Sequence, residues 1–185
     1  MSLLPFVEWL SETRGSVALR ESFHMYPLTE SFHVWTLTLF VGFAALLDLR
    51  LAGLALTKIP VTEMMRRSMP WMIAGFVVMT VTGAMLFYAI PIRSYQNVFF
   101  RLKVILLLLA GLNVFLFHYG IWRRVTDWDL QGKPPRRARL AGFASLALWA
   151  LIIFAGRMIA YNWFDCDRQP QPGWVNWAAG CVEAE

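Results

Sequence analysis

The sequence holds three histidines, His24, His33 and His118, and two of them, His33 and His118, stand inside strongly apolar stretches. A polar side chain is costly in such surroundings and is usually kept for a function. Imidazoles on facing helices of a bundle are common axial donors to haem iron. His33 and His118, with His24 as a further donor beside the first, are therefore candidate ligands of a b-type haem. Two haems would need two ligands at each depth, so this set suits one haem better than two. Lys103 and Arg157 stand where apolar stretches begin or end, and their cations could hold haem propionates or a quinone carbonyl.

The methionines open a second chemistry. Met69 and Met72, with Met64 and Met65 before them and Met25 beside His24, offer thioethers. Together with the imidazoles of His33 and His118 these suit Cu(I), although methionine is also a flexible apolar filler that needs no metal. A third account is structural. At about 1.5 Å per helical residue, Asp48 lies roughly 22 Å along the chain axis from His33, at a depth that His118 shares. Asp48 could then bond His118, Arg157 could bond Glu30 or face the headgroups, and Asn113 could join two helices. Each such contact contributes about 0.6–2 kcal/mol. No serine, cysteine or carboxylate pair stands with a histidine as nucleophile and base, and no phosphate-binding or dinucleotide fingerprint occurs.

The elements that must position these residues follow from hydropathy. Apolar types make up 58% of the 185 residues and charged types 16%, against roughly 45–50% and about 25% in an ordinary soluble domain. Four stretches, 32–56, 69–90, 104–121 and 140–163, approach or exceed the ~20 residues that cross ~30 Å of hydrocarbon. Lys58-Ile59-Pro60, Pro91 and the Gln131 to Pro135 run separate them. The pattern predicts an all-α integral membrane four-helix bundle over 29–163, between an N-terminal segment 1–28 and a tail 164–185. In the first segment Leu3, Phe6, Val7 and Leu10 recur at helical spacing, which suits an amphipathic helix on the outer leaflet. Glu8 and Glu12 interrupt its apolar run, so it reads as retained, not as a cleaved signal peptide. Tyr26-Pro27 is expected to turn the chain, with Thr29 as N-cap and Glu30 as first-turn acid of the first span.

Orientation follows from lysine and arginine near the span ends. The side holding the first and third loops carries ten basic and four acidic residues, the other seven and eight. Both loops are therefore expected in the cytoplasm of a bacterial cell and both termini in the periplasm. The basic residues punctuate apolar runs without forming a stripe, which argues against nucleic acid as a partner. Trp35, Trp71, Trp122 and Trp163 suit interfacial belts. The two cysteines, Cys166 and Cys181, both fall in the tail, where an oxidising compartment would allow a disulfide. Closing that loop would contribute about 3 kcal/mol.

Several stretches resemble an uncharacterised group of small bacterial inner-membrane proteins with four spans: Tyr26-Pro27 with Glu30 and His33, Asp48 to Leu51, Pro70-Trp71 with Gly75, Asn97 to Lys103, Asn113 with His118, and Gly156-Arg157. The likeness covers roughly residues 3 to 161 and carries no biochemical role. A looser likeness, on His33, Lys103 and Asn113 or His118, is to copper-resistance-D-type and haem-containing protoporphyrinogen-oxidase-type membrane proteins. It implies a four-helix bundle with a haem or metal site at His33. The spacing from Lys103 to His118 departs from the haem group, and the chain is shorter than the copper group. The function expected is a small redox-associated inner-membrane subunit with a b-type haem or quinone site near His33, Lys103 and Arg157, working with the bilayer and a membrane or periplasmic redox partner. The alternatives are a non-catalytic accessory or assembly subunit and, third, copper handling.

Overall fold

A computed structural model of the chain describes residues 3–129 and 134–181, and every regular element among them is helical. The helices are α1 (Leu4–Glu12), α2 (Arg14–Glu21), α3 (Met25–Ala52), α4 (Val61–Ala89), α5 (Pro91–Tyr95), α6 (Val98–Leu116), α7 (Arg136–Ile159) and α8 (Gly173–Ala179). After Leu116, α6 runs on through a π-helical turn (Phe117–Ile121) and a 3₁₀ stretch (Trp122–Asp127). Four helices, α3, α4, α6 with its continuation, and α7, are long and apolar enough to cross a membrane, as the hydropathy predicts. Only 17% to 33% of each apolar window is buried against protein. The remaining apolar surface is of the kind that lipid tails accept and water penalises.

All four spans begin earlier than hydropathy places them, and in three of them polar caps extend the helix beyond the apolar run. Helix α3 starts at Met25, whose N–H donates to Ser22 Oγ at 3.1 Å. Thr29 is therefore not the N-cap expected of it. Its hydroxyl lies one turn inside the helix and donates back to the Met25 carbonyl at 2.7 Å. Pro27 does not turn the chain either: it occupies the first turn, where a missing N–H costs nothing. Helix α4 starts at Val61, since the Asp129 carboxylate accepts the N–H of Val61 (2.5 Å) and Thr62 (3.3 Å) and the Thr62 hydroxyl. It then continues through Pro70. Helix α6 starts at Val98, where Asn97 Oδ1 accepts the Phe100 N–H at 3.1 Å. The Gln131 to Pro135 run expected to end the third loop lies outside the described residues at 131–133.

The chain packs as two compact units, each drawing on all four spans: Met1–Val34 with Met79–Ile105 and Ile153–Glu185, and Trp35–Val78 with Leu106–Ile152. In the first unit α1 packs on α5 and buries Val7. Thr13 Oγ1 shares a 2.7 Å hydrogen bond with the Tyr88 hydroxyl, and Ser16 Oγ donates to the Tyr88 carbonyl at 2.8 Å. The tail returns to the start of α6, where the Val98 N–H donates to the Phe164 carbonyl at 3.0 Å.

In the second unit Leu47, Leu51, Val61, Met64, Phe117, Val125, Trp128 and Ala138 form one apolar cluster. Gly142 of α7 lies against the end of α3 so closely that a Cβ there would meet the Asp48 carbonyl oxygen at 2.8 Å and Leu51 Cβ at 3.0 Å. Phe40 packs edge-on to Trp149, with ring centroids 4.9 Å apart.

Candidate functional site

His33 occupies the third turn of α3 and reaches α4. Its Nδ1 lies 3.0 Å from the Met79 carbonyl oxygen and 3.1 Å from Thr82 Oγ1, while the Thr82 hydroxyl itself donates to the same carbonyl at 3.2 Å. A carbonyl can only accept, so Nδ1 carries the proton and Nε2 is the nitrogen with the lone pair. Ligand histidines are characteristically oriented in this way, by a backbone carbonyl on the far ring nitrogen. Gly83, one residue past Thr82, lets α4 pass close: a Cβ there would stand 3.1 Å from His33 Cε1.

Lys103 of α6 is brought to the same place. Its charge acts on the His33 ring, and its Nζ comes within 3.6 Å of where a Cβ on Gly156 of α7 would be. The side chain is largely withdrawn from solvent, yet no carboxylate among the described residues pairs with it. The first unit thus assembles an oriented imidazole and an uncompensated ammonium from α3, α4, α6 and α7.

The other residues singled out from the sequence are placed differently. Arg157 is exposed and lies over the Tyr161 ring at 5.1 Å. His24 is exposed and edge-on to Phe23, with ring centroids 4.9 Å apart, and Glu30 is exposed.

In the second unit the hydrogen bond expected between Asp48 and His118 is not formed. His118 is exposed, with its ring edge-on to Tyr119, and the Asp48 carboxyl faces Ser145 of α7. His118 continues the exposed face of α6 that Val114 and Phe115 present one turn earlier. Asn113 does join two helices, donating from Nδ2 to the Ala141 carbonyl at 3.1 Å. Met69 is exposed and Met72 half-buried, while Met64 and Met65 fill the apolar cluster. Among the described residues no group of three or more His, Cys, Asp or Glu side chains converges as metal ligands would.

Cys166 and Cys181 are joined, with their Cα atoms 5.4 Å apart. Arg101 ties the same tail to α6, its Nη1 donating to the Ala178 carbonyl (2.8 Å) and its Nε to that of Tyr95 (2.9 Å). At the root of the tail Asp165 is 1% exposed. Burial pushes its carboxyl above the ordinary range, and Asp167 adds to the push.

Sequence reasoning missed Thr82, Ser145, Asp129 and Asn97. Asn97 carried a local signal, an Asn immediately before an apolar helix start. The other three act on residues far away in the chain, so no local spacing announces them.

No curated protein and no solved structure matches the chain. A match over residues 6–162, which takes in His33, Thr82, Lys103 and Arg157 and stops short of the disulfide-closed tail, makes the chain a member of the family of unknown function DUF6644.

Proposed function

We propose that this protein is a small redox-associated subunit of the bacterial inner membrane that holds one b-type haem at His33. The observation that carries the reading is the orientation of the imidazole, whose Nδ1–H is held by the Met79 carbonyl, as the far ring nitrogen of a ligand histidine characteristically is. The site residues fit the group. His33 would hold the group through its imidazole, and the Lys103 ammonium, which has no carboxylate partner among the described residues, would hold a propionate carboxylate. Haem, when bound, supplies one-electron transfer. The protein's part is to fix the ring through Met79 and Thr82 and to place a cation beside it in a medium where charge interactions are strong.

The ends of α3 and α7 nearest this site carry the termini. The charge count supports placing those ends, the disulfide and the tail in the periplasm. Exposed Leu3, Phe6 and Trp9 beside buried Val7 support α1 lying at headgroup level, and the exposed Trp174 and Trp177 offer a surface to a redox partner. The rival reading, a non-catalytic accessory subunit, draws on Asn113, whose bond to Ala141 needs no cofactor.

The test is an oxidised and a dithionite-reduced visible spectrum of protein purified with ample haem supply, with metal and quinone analysis of the same sample. The haem reading expects Soret and α bands that are lost in His33→Ala, weakened in Lys103→Ala and kept in His118→Ala. Absence of the bands sinks it. Co-purifying quinone that depends on Lys103, or stoichiometric copper that depends on His33, would then replace it.

A further inference from the structure

Asn97 and Asp165 are the two residues of an isolated antiparallel bridge that brings the tail to the start of α6. The flanking bond from the Val98 N–H to the Phe164 carbonyl marks them as the narrow kind of pair. Directly opposed residues of such a pair share a face, with Cβ atoms about 4.5–5.5 Å apart. Asn97 is 0% and Asp165 1% exposed. One oxygen of each is already used: Asn97 Oδ1 accepts the Phe100 N–H, and Asp165 Oδ1 accepts the Asp167 N–H at 3.2 Å. What remains is one donor, Asn97 Nδ2, and one acceptor, Asp165 Oδ2, both buried and neither with a hydrogen-bond partner among the described residues.

A buried polar atom with no partner is costly enough that natural proteins almost always satisfy it. We propose that Asn97 and Asp165 hold a single internal water molecule, which accepts from Asn97 Nδ2 and donates to Asp165 Oδ2, and so joins the tail to the body of the first unit. The ligand class follows from the two free atoms. A cation is disfavoured, because the Phe100 cap fixes the Asn97 amide with its N–H₂ group toward the site. An anion is disfavoured by the carboxylate. The ligand must both accept and donate within a narrow gap, and water does both. The site rests on neither the haem reading nor the membrane orientation.

The test uses the full-length, disulfide-intact protein in nanodiscs, with amide hydrogen exchange across residues 163–181 as readout. Asn97→Asp keeps the cap on Phe100 but sets two acceptors against each other, and exchange in the tail is expected to rise about tenfold, the size of one lost buried hydrogen bond. The reversed pair, Asn97→Asp with Asp165→Asn, again offers one donor and one acceptor, and is expected to return exchange to within about twofold of the parent. In the parent, the Asn97 side-chain amide is expected to show a nuclear Overhauser contact to a long-lived water. Failure of the reversed pair to recover overturns the proposal. So does an Asn97 amide without the water contact, or a stoichiometric metal whose chelation loosens the tail.

Discussion

Asp165 and Asp48 are both buried carboxylates with one oxygen that no donor among the described residues reaches, yet they sit in differently built units. Asp165 has its complement directly across a bridge in Asn97, and the segments around it are tied by a disulfide and by Arg101 on the Ala178 carbonyl. Asp48 lies within a span and faces Ser145. The nearest orphan of opposite kind in sequence, Nη1 of the 1%-exposed Arg50, is two residues along the same helix. Residues two apart on a helix do not face each other, so that pair cannot serve itself. Both units use side chains that reach backbone across long sequence separations. The first adds a disulfide, and the second adds close helix approach, with Gly142 of α7 against the end of α3. The difference teaches where each is vulnerable: the first to loss of a tie, the second to added volume or a lost cap.

The largest expected effect breaks the second unit. Asp129→Ala removes the acceptor for the Val61 and Thr62 N–H groups and the Thr62 hydroxyl, and three such charge-assisted bonds make a loss of about 3–5 kcal/mol reasonable. Thermal unfolding in detergent should show it, and a change below about 1 kcal/mol would mean that α4 starts without this cap. The disulfide comes next. Cys166→Ala with Cys181→Ala should cost the tail about 3 kcal/mol, read as rapid proteolysis after residue 162 while peptides of the second unit keep their exchange protection. Uniform loosening of both units would break the comparison.

A smaller effect sharpens it. Gly142→Ala forces a Cβ to within 2.8 Å of the Asp48 carbonyl oxygen, and overpacking of this kind costs about 1–3 kcal/mol. The loss should appear as faster exchange in α3 and α7 around residues 48–52 and 138–145, with the tail unchanged.

The smallest effect is in pH. Burial, with Asp167, raises the folded Asp165 carboxyl above its ordinary value, so the folded tail favours the protonated form. That contribution to stability is complete below the unfolded aspartate value of about 3.9, and it is lost as pH rises through the folded value. Tail exchange, corrected for its intrinsic rate, should therefore be slowest in mild acid and quicken toward neutrality, and Asp165→Asn should flatten the profile. A tail that loosens on acidification would reverse the sign and remove Asp165 from this role.

Much of the fold was legible because hydropathy over 20-residue windows is a local property. Four spans, a helical N-terminal segment and a cysteine pair in the tail can each be read without knowing what touches what. The ends of the spans were less legible. Met25, Val61 and Val98 start helices because of Ser22, Asp129 and Asn97 respectively, and Asp129 caps a helix 68 residues before it in the chain. Of the candidate site, His33 and Lys103 stood out as polar groups in apolar surroundings, and the structure brings them together. His118 stood out by the same rule but is exposed, on the face of α6 that Val114 and Phe115 present one turn earlier. Polarity in oil marks a residue as costly, and it does not say which neighbour repays the cost.

The sequence by itself determined that this chain is helical, that four of its helices are long and apolar enough to cross a membrane, and which few residues are exceptions to the oil. Those are statements about composition and period, and they need no contacts. Only the tertiary structure decided that Met79 and Thr82 orient His33, that Lys103 comes near it with no carboxylate partner among the described residues, that Ser145 and not His118 faces Asp48, and that Asn97 and Asp165 meet. Each of these depends on how helices rotate against one another. A rotation of one residue's pitch, roughly 100°, is enough to replace every partner on a face.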